Sequence, residues 1–109
     1  MGKIYKIEEI KEKVKPIAEK YGIETIWLFG SYARGEATED SDVDLLVDRK
    51  TTFNLFELGG AFEDFKDVLK KNVDIVTVRS LYNPVNMPLN LNFRIAIETE
   101  KKTLYEQRL

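Results

Sequence analysis

The 109-residue chain contains no cysteine and no histidine. Those absences exclude a disulfide framework, zinc sites of the usual type, a thiol nucleophile and a Ser-His-Asp triad. Any metal ion must sit on oxygen ligands, which favours a hard cation such as Mg²⁺ or Mn²⁺. No apolar run approaches the roughly 20 residues of a membrane-spanning helix, so no membrane partner is expected. Neither sign of charge dominates. With 17 Lys and Arg against 19 Asp and Glu, the formal net charge is −2, and there is no broad basic face to track a nucleic-acid backbone. The first residues, Met-Gly-Lys-Ile, lead straight into a charged amphipathic segment without the apolar core and cleavage site of a signal peptide. The expectation is a soluble cytoplasmic protein, one domain over residues 1–109, with 43% hydrophobic residues to fill a single modest core.

Within those bounds, the hydrophobic pattern reads as alternating helices and strands. Ile4, Ile7, Ile10, Val14, Ile17 and Tyr21 recur at helical spacing up to Gly22, with Pro16 predicting a kink or a late start. Thr25 to Phe29 has strand composition and stops at Gly30, and Ser31 to Arg34 fits one helical turn closed by Gly35. Val43 to Val47 and Val73 to Val78 read as further strands. Between them, residues 53–71 are helical in pattern, with Gly59 and Gly60 weakening the first turn. Pro84, Pro88 and four Asn between residues 83 and 92 argue against a long helix there, and Leu104-Tyr105 closes a last short strand. The order predicts an α/β (α+β) layer, a small mixed sheet with helices packed on one side.

The informative stretch runs from Leu28 to Asp48. Gly30 directly follows a predicted strand, and its missing side chain lets the backbone approach a ligand closely. Ser31 would cap the following turn, where unpaired N–H groups favour an anion such as phosphate. An ordinary Gly-Ser turn would look the same in isolation. Asp42 and Asp44 bracket one residue at a strand start, which puts both carboxylates on one face, about 7 Å apart at Cα. Carboxylates so placed can converge on one hard cation, or on a pair that grips a phosphoryl group; a solvated acidic turn is the plain alternative. Asp74 stands in the apolar strand Val73-Asp74-Ile75-Val76-Thr77-Val78. It marks either a charge that must be paired or metal-bound, or merely an exposed strand end. The combination is more specific than its parts: Gly-Ser, ten residues, Asp-x-Asp should arise by chance in roughly 0.2% of chains this long.

Gly30-Ser31, ten residues, Asp42-Val43-Asp44 resembles the signature of the DNA polymerase β-like nucleotidyltransferases. Gly-Ser-Tyr-Ala-Arg-Gly-Glu is similar to the minimal nucleotidyltransferases (MNT), single-domain members of that superfamily. The resemblance implies the nucleotidyltransferase fold, with Gly30 and Ser31 holding the β and γ phosphates of ATP. It also implies that Asp42 and Asp44 bind two Mg²⁺ ions and that Asp74 completes the triad, helping to bind one metal and activating the attacking hydroxyl. Arg34 is left with two readings. It reaches the triphosphate, or it ties down the acidic loop through Glu36, Glu39 or Asp40. Such chemistry needs no histidine: an acceptor hydroxyl attacks the α-phosphate in line, and two divalent cations balance three carboxylates.

In 109 residues no room is expected for a separate acceptor-binding domain. Minimal nucleotidyltransferases are commonly encoded beside a helical toxin of the higher eukaryotes and prokaryotes nucleotide-binding (HEPN) class. The resemblance therefore implies an antitoxin that transfers AMP from ATP to a tyrosine of its HEPN partner. Two alternatives stay open: neutralisation by contact alone, and nucleotidyl transfer to a small molecule. Phe53, Phe56, Phe62 and Phe65 exceed what one helix face buries comfortably, so some are candidates for a partner surface and the rest for core. Tyr82, Met87 and Phe93 are further candidates, although Pro and Asn in that tail depart from the short helix expected of the family.

Overall fold

In a computed structural model, which describes residues 3–85 and 90–108, the helical periodicity of the N-terminal segment becomes α1 (Ile7–Tyr21). Ile10, Val14, Ile17 and Ala18 form its buried face. Glu9 accepts a hydrogen bond from the Lys6 N–H at 2.9 Å at the start, and Gly22, at φ 66°, ends it. Pro16 lies inside the helix, which continues through it.

Four strands follow the apolar runs: β1 (Thr25–Phe29), β2 (Val43–Asp48), β3 (Val73–Thr77) and β4 (Lys102–Glu106). Their order across the sheet is β3-β2-β1-β4. β1 pairs antiparallel with β2 and β4, whereas β2 and β3 run parallel, so the sheet is mixed. The parallel pair requires a crossover, supplied by α3 (Leu55–Leu69). Asn54 and Glu57 exchange side-chain to backbone hydrogen bonds at its start, which offsets the weak helix-forming tendency of Gly59 and Gly60. Gly60 has a packing role: a Cβ there would stand 2.6 Å from the Tyr21 hydroxyl oxygen, where α3 crosses α1.

The sheet uses both faces. Ile26, Leu28, Val43, Leu45 and Val47 join α1 and α3 in the main core around Phe65 and Leu69. On the opposite face Trp27, Phe29, Leu46 and Val76 are covered by Leu81 of α4 (Val78–Leu81) and Ile97 of α5 (Leu91–Glu100). The expected mixed sheet is present, but its helices are not confined to one side. Alternation explains why: Trp27, Phe29, Leu46 and Val76 would otherwise expose a continuous apolar strip. The ten-residue α5 begins only beyond the second proline, so no long helix runs through the described part of residues 83–92, and the helix that follows was not expected.

The four phenylalanines divide. Phe65 is fully buried, Phe53 and Phe62 are half-buried, and Phe56 is 92% exposed beside Leu55 at 87%. Tyr82 is exposed, Phe93 is exposed on one edge while packing against Phe29, and Met87 lies outside the described residues. Among the described residues no helix is long and apolar enough to cross a membrane.

Candidate functional site

One end of the sheet carries most of the residues picked out by the sequence. β1 delivers Gly30 at its C-terminal end, and the four-residue helix α2 (Ser31–Arg34) follows at once. Tyr32 and Ala33 of α2 are buried, and the Tyr32 hydroxyl donates to the Lys3 carbonyl at 3.2 Å. That anchoring leaves Ser31 and Arg34, three apart on one side of the turn, lining an open cavity. Ser31 is not the cap expected of it. Gly30 holds that position, at φ 77° and ψ −156°, and no side chain caps the turn.

Asp42 stands just before β2, exposed, at the end of a loop that Lys71 holds through the Glu39 carbonyl at 2.7 Å. Asp44 lies inside β2, opposite Phe29 of β1 on one side and opposite Asp74 of β3 on the other. The period-two alternation points Asp44 and Asp74 to the face of Leu46 and Val76, away from the main core. Asp74 is exposed. It stands near the start of the strand, and it lines the same cavity as Asp42 and Asp44.

Gly30 is what makes room for Asp44. A Cβ on Gly30 would lie 2.0 Å from Asp44 Oδ2, far inside contact distance, and the positive φ is itself unfavourable for any other residue. Asp44 is therefore pressed against backbone on one side and Asp74 on the other. Burial pushes its carboxyl up to about 6, with the neighbouring Asp74 and Asp42 adding to the rise and Arg34 opposing it.

Arg34 does what one of its two readings requires and something neither included. Its Nε donates to Glu36 at 2.8 Å, tying down the loop. Its Nη1 donates to both carboxylate oxygens of Glu100, each at 3.2 Å. Glu100, at the end of α5, also accepts the Gly30 N–H at 2.9 Å. Neither Glu100 nor Ile97 was singled out from sequence, and Phe93 was picked out only as a candidate for a partner surface; the prolines and asparagines ahead of α5 obscured the helix that brings all three to the cavity.

The donor set suits a hard cation. Three carboxylates, all oxygen donors, line a cavity of about 430 Å³, and the close approach of Asp44 to Asp74 leaves a concentration of negative charge that a divalent ion would relieve. Among the described residues no three acidic side chains stand gathered closely enough to hold a metal ion as they are placed. Ser31 and the two donors now on Glu100 make the opposite wall suitable for an anion.

Comparison with known proteins fits this layout. A protein of Methanocaldococcus jannaschii, provisionally named a protein adenylyltransferase, is 40% identical over 85 residues, spanning 77% of this chain and 87% of its own. A solved structure of a protein provisionally identified as a minimal nucleotidyltransferase superposes with a TM-score of 0.70 at 30% identity, covering 93% of this chain and 98% of that one. A chain in the complex of a tri-AMPylated Shewanella oneidensis HEPN toxin with an MNT antitoxin shares the fold, with a TM-score of 0.64 at 19% identity over 93% of this chain and 73% of that one. The family described as Polymerase beta, Nucleotidyltransferase matches residues 12–108, a span that begins in α1 and runs past β4. With both carboxylate-bearing strands, Gly30 and the α5 wall inside that span, the chain belongs to the polymerase β nucleotidyltransferase family.

Proposed function

We propose that this protein transfers AMP from ATP to a hydroxyl, a tyrosine hydroxyl, of a cognate HEPN-type toxin, and thereby acts as its antitoxin in the cytoplasm. The observation that carries the reading is the juxtaposition of Asp44 and Asp74 across paired strands, with Gly30 cleared to admit Asp44, in one cavity with Ser31 and Arg34. The relative from Methanocaldococcus jannaschii and the AMPylated toxin of the Shewanella complex support the choice of AMP and of a protein acceptor.

In the transfer, the acceptor oxygen attacks the α-phosphorus in line, the new O–P bond forms, and the bond to pyrophosphate breaks with its electron pair. Asp74, exposed at the strand end, accepts the hydroxyl proton. Gly30 N–H, the Ser31 hydroxyl and Arg34 orient the β and γ phosphates opposite it. Two Mg²⁺ ions held by Asp42, Asp44 and Asp74 would supply charge neutralisation for the triphosphate and the departing pyrophosphate. The acceptor needs no domain of this chain if it is itself a folded protein. Asp74 also borders an apolar groove formed by Leu55, Leu58, Phe62 and Ile75, which suits an acceptor presented on a polypeptide rather than a small polar molecule.

The test is to incubate the protein with Mg²⁺, host lysate and ATP labelled at the α or the γ phosphate, beside an Asp42→Asn, Asp44→Asn double variant. Transfer of α label alone, lost in the variant, is expected. Transfer of γ label would mean a kinase-like reaction. No transfer alongside measurable Mg²⁺-ATP binding would favour an antitoxin that neutralises by contact.

A further inference from the structure

Glu100 sits where an anionic ligand would. Its carboxylate takes the Gly30 N–H at 2.9 Å and the Arg34 Nη1 at 3.2 Å to each oxygen. A phosphate uses the same two kinds of donor, a backbone N–H and an arginine guanidinium, and it would meet them from the same cavity. The Glu100 side chain is 19% exposed, so its charge is largely withdrawn from water and depends on those donors. It also shares the cavity with Asp42, Asp44 and Asp74, whose charges oppose its own. Such an anion is held by two donors and shares its cavity with three carboxylates.

We propose that Glu100 is a displaceable internal anion that occupies the phosphate donors of the free protein, so that a nucleotide binds only by competing with it. This inference rests on the nucleotidyl-transfer reading and names a residue that sets its ligand selectivity. A triphosphate brings several charged oxygens to Gly30, Ser31 and Arg34 and replaces Glu100 with contacts to spare. A monophosphate such as AMP brings too few. Displacement requires only rotation of the Glu100 side chain, because α5 remains seated by Ile97 and by the edge-to-face contact of Phe93 with Phe29, whose centroids lie 5.8 Å apart. Glu100 thereby favours ATP over AMP at the same donors.

The test uses Glu100→Gln and Glu100→Asp. Gln keeps an oxygen for the Gly30 N–H but loses the charge; Asp keeps the charge but withdraws it by one methylene. Calorimetric titration with inorganic triphosphate and with AMP, both in Mg²⁺, gives the affinities, and the Gly30 amide resonance reports the contact directly. Tighter triphosphate binding is expected in both variants, roughly tenfold for Gln, the equivalent of one charge-assisted hydrogen bond released. AMP should gain at least as much, and the Gly30 amide of either free variant should already be shifted from its wild-type position.

Weaker or unchanged triphosphate binding would assign Glu100 to positioning Arg34 and overturn the proposal. Tightening in Gln but none in Asp would trace the effect to net charge and overturn it as well. The two readings separate cleanly. Unchanged affinities with AMP transfer intact remove the role of Glu100 and spare the transfer chemistry, whereas tightening without any transfer supports the role of Glu100 and removes the chemistry.

Discussion

Replacing Asp44 with Asn should stabilise the metal-free protein at neutral pH. Burial and its acidic neighbours raise the Asp44 carboxyl from 3.8 to about 6. Its neutral form is thus the one the fold prefers. The sign follows from linkage: the stabilisation is fully present below the unfolded value of 3.8 and is lost as pH rises through about 6. A shift of about two units is worth up to ~3 kcal/mol, which solvent screening of this half-buried group reduces to ~1–2 kcal/mol. Asn removes that penalty and still offers an N–H to Asp74, as the protonated acid would. In EDTA the variant should melt higher than wild type by roughly 5–10 °C at pH 7.5, with the gap closing by pH 4. The chain has no histidine, so few other groups titrate near pH 6, and subtracting the two pH profiles isolates Asp44 from the ordinary carboxylates that titrate lower. A variant that melts lower than wild type at pH 7.5, or a gap independent of pH, would refute the electrostatic account of the site.

Other expectations rest on different parts of the molecule. Gly30→Ala combines a positive φ with a Cβ 2.0 Å from Asp44 Oδ2, and should cost ~1–3 kcal/mol in thermal melts while also weakening Mg²⁺-dependent ATP binding. Ser31→Ala should leave the melting temperature unchanged, since that side chain does not cap α2, yet weaken triphosphate binding in calorimetry. The Arg49 side chain is 8% exposed, forks onto the partly exposed Glu57 at 2.8 and 3.0 Å and stacks 4.0 Å from the Phe53 ring centre, so Arg49→Ala should lower stability in chemical denaturation through lost packing as well as the lost pair. The Arg49 pairing holds Glu57 down at about 2, so its contribution is present above pH 4.5 and is lost as pH falls through 2; the Glu57→Gln variant should differ most from wild type at neutral pH and converge with it in acid. Removing divalent cations with EDTA should abolish ATP binding in wild type, because three aspartates and Glu100 face a triphosphate with Arg34 as their counter-charge in the cavity.

How far the sequence could be read depends on the range of the interactions involved. α1 and the strands were legible because local periodicity alone specifies which residues face inward, as Ile10, Val14 and Ile17 or Leu45 and Val47 do. Gly30 through Asp44 was legible for a similar reason, since its spacing lies within one strand-turn-strand unit. The register of Asp44 against Asp74 was not, because it depends on a parallel pairing across the whole of α3. The α4–α5 face was hidden more deeply. Its apolar residues are few, with Leu81 and Ile97 buried, and the prolines and asparagines before α5 resemble a plain loop.

The same difference in range bears on how the site is built. Gly30 and Asp44 are fixed by the pairing of β1 with β2, the interior of the sheet, and Asp44 Oδ2 fills the space that a Cβ on Gly30 would need. Glu100 belongs to α5, a helix laid over the sheet with Ile97 buried beneath it, and its carboxylate ends on the N–H of that same glycine. The absence of a side chain at Gly30 therefore serves two walls at once: its Cα side admits Asp44 toward the carboxylate cluster, and its N–H faces the anion-binding side. A larger residue there would disturb both. Because the carboxylate wall is set by sheet register and the anion wall ends on a side chain that can rotate, a ligand can change the second without reshaping the first. The balance of charge between Arg34 and Glu100, rather than any movement of the strands, is what decides which anion occupies the Gly30 N–H.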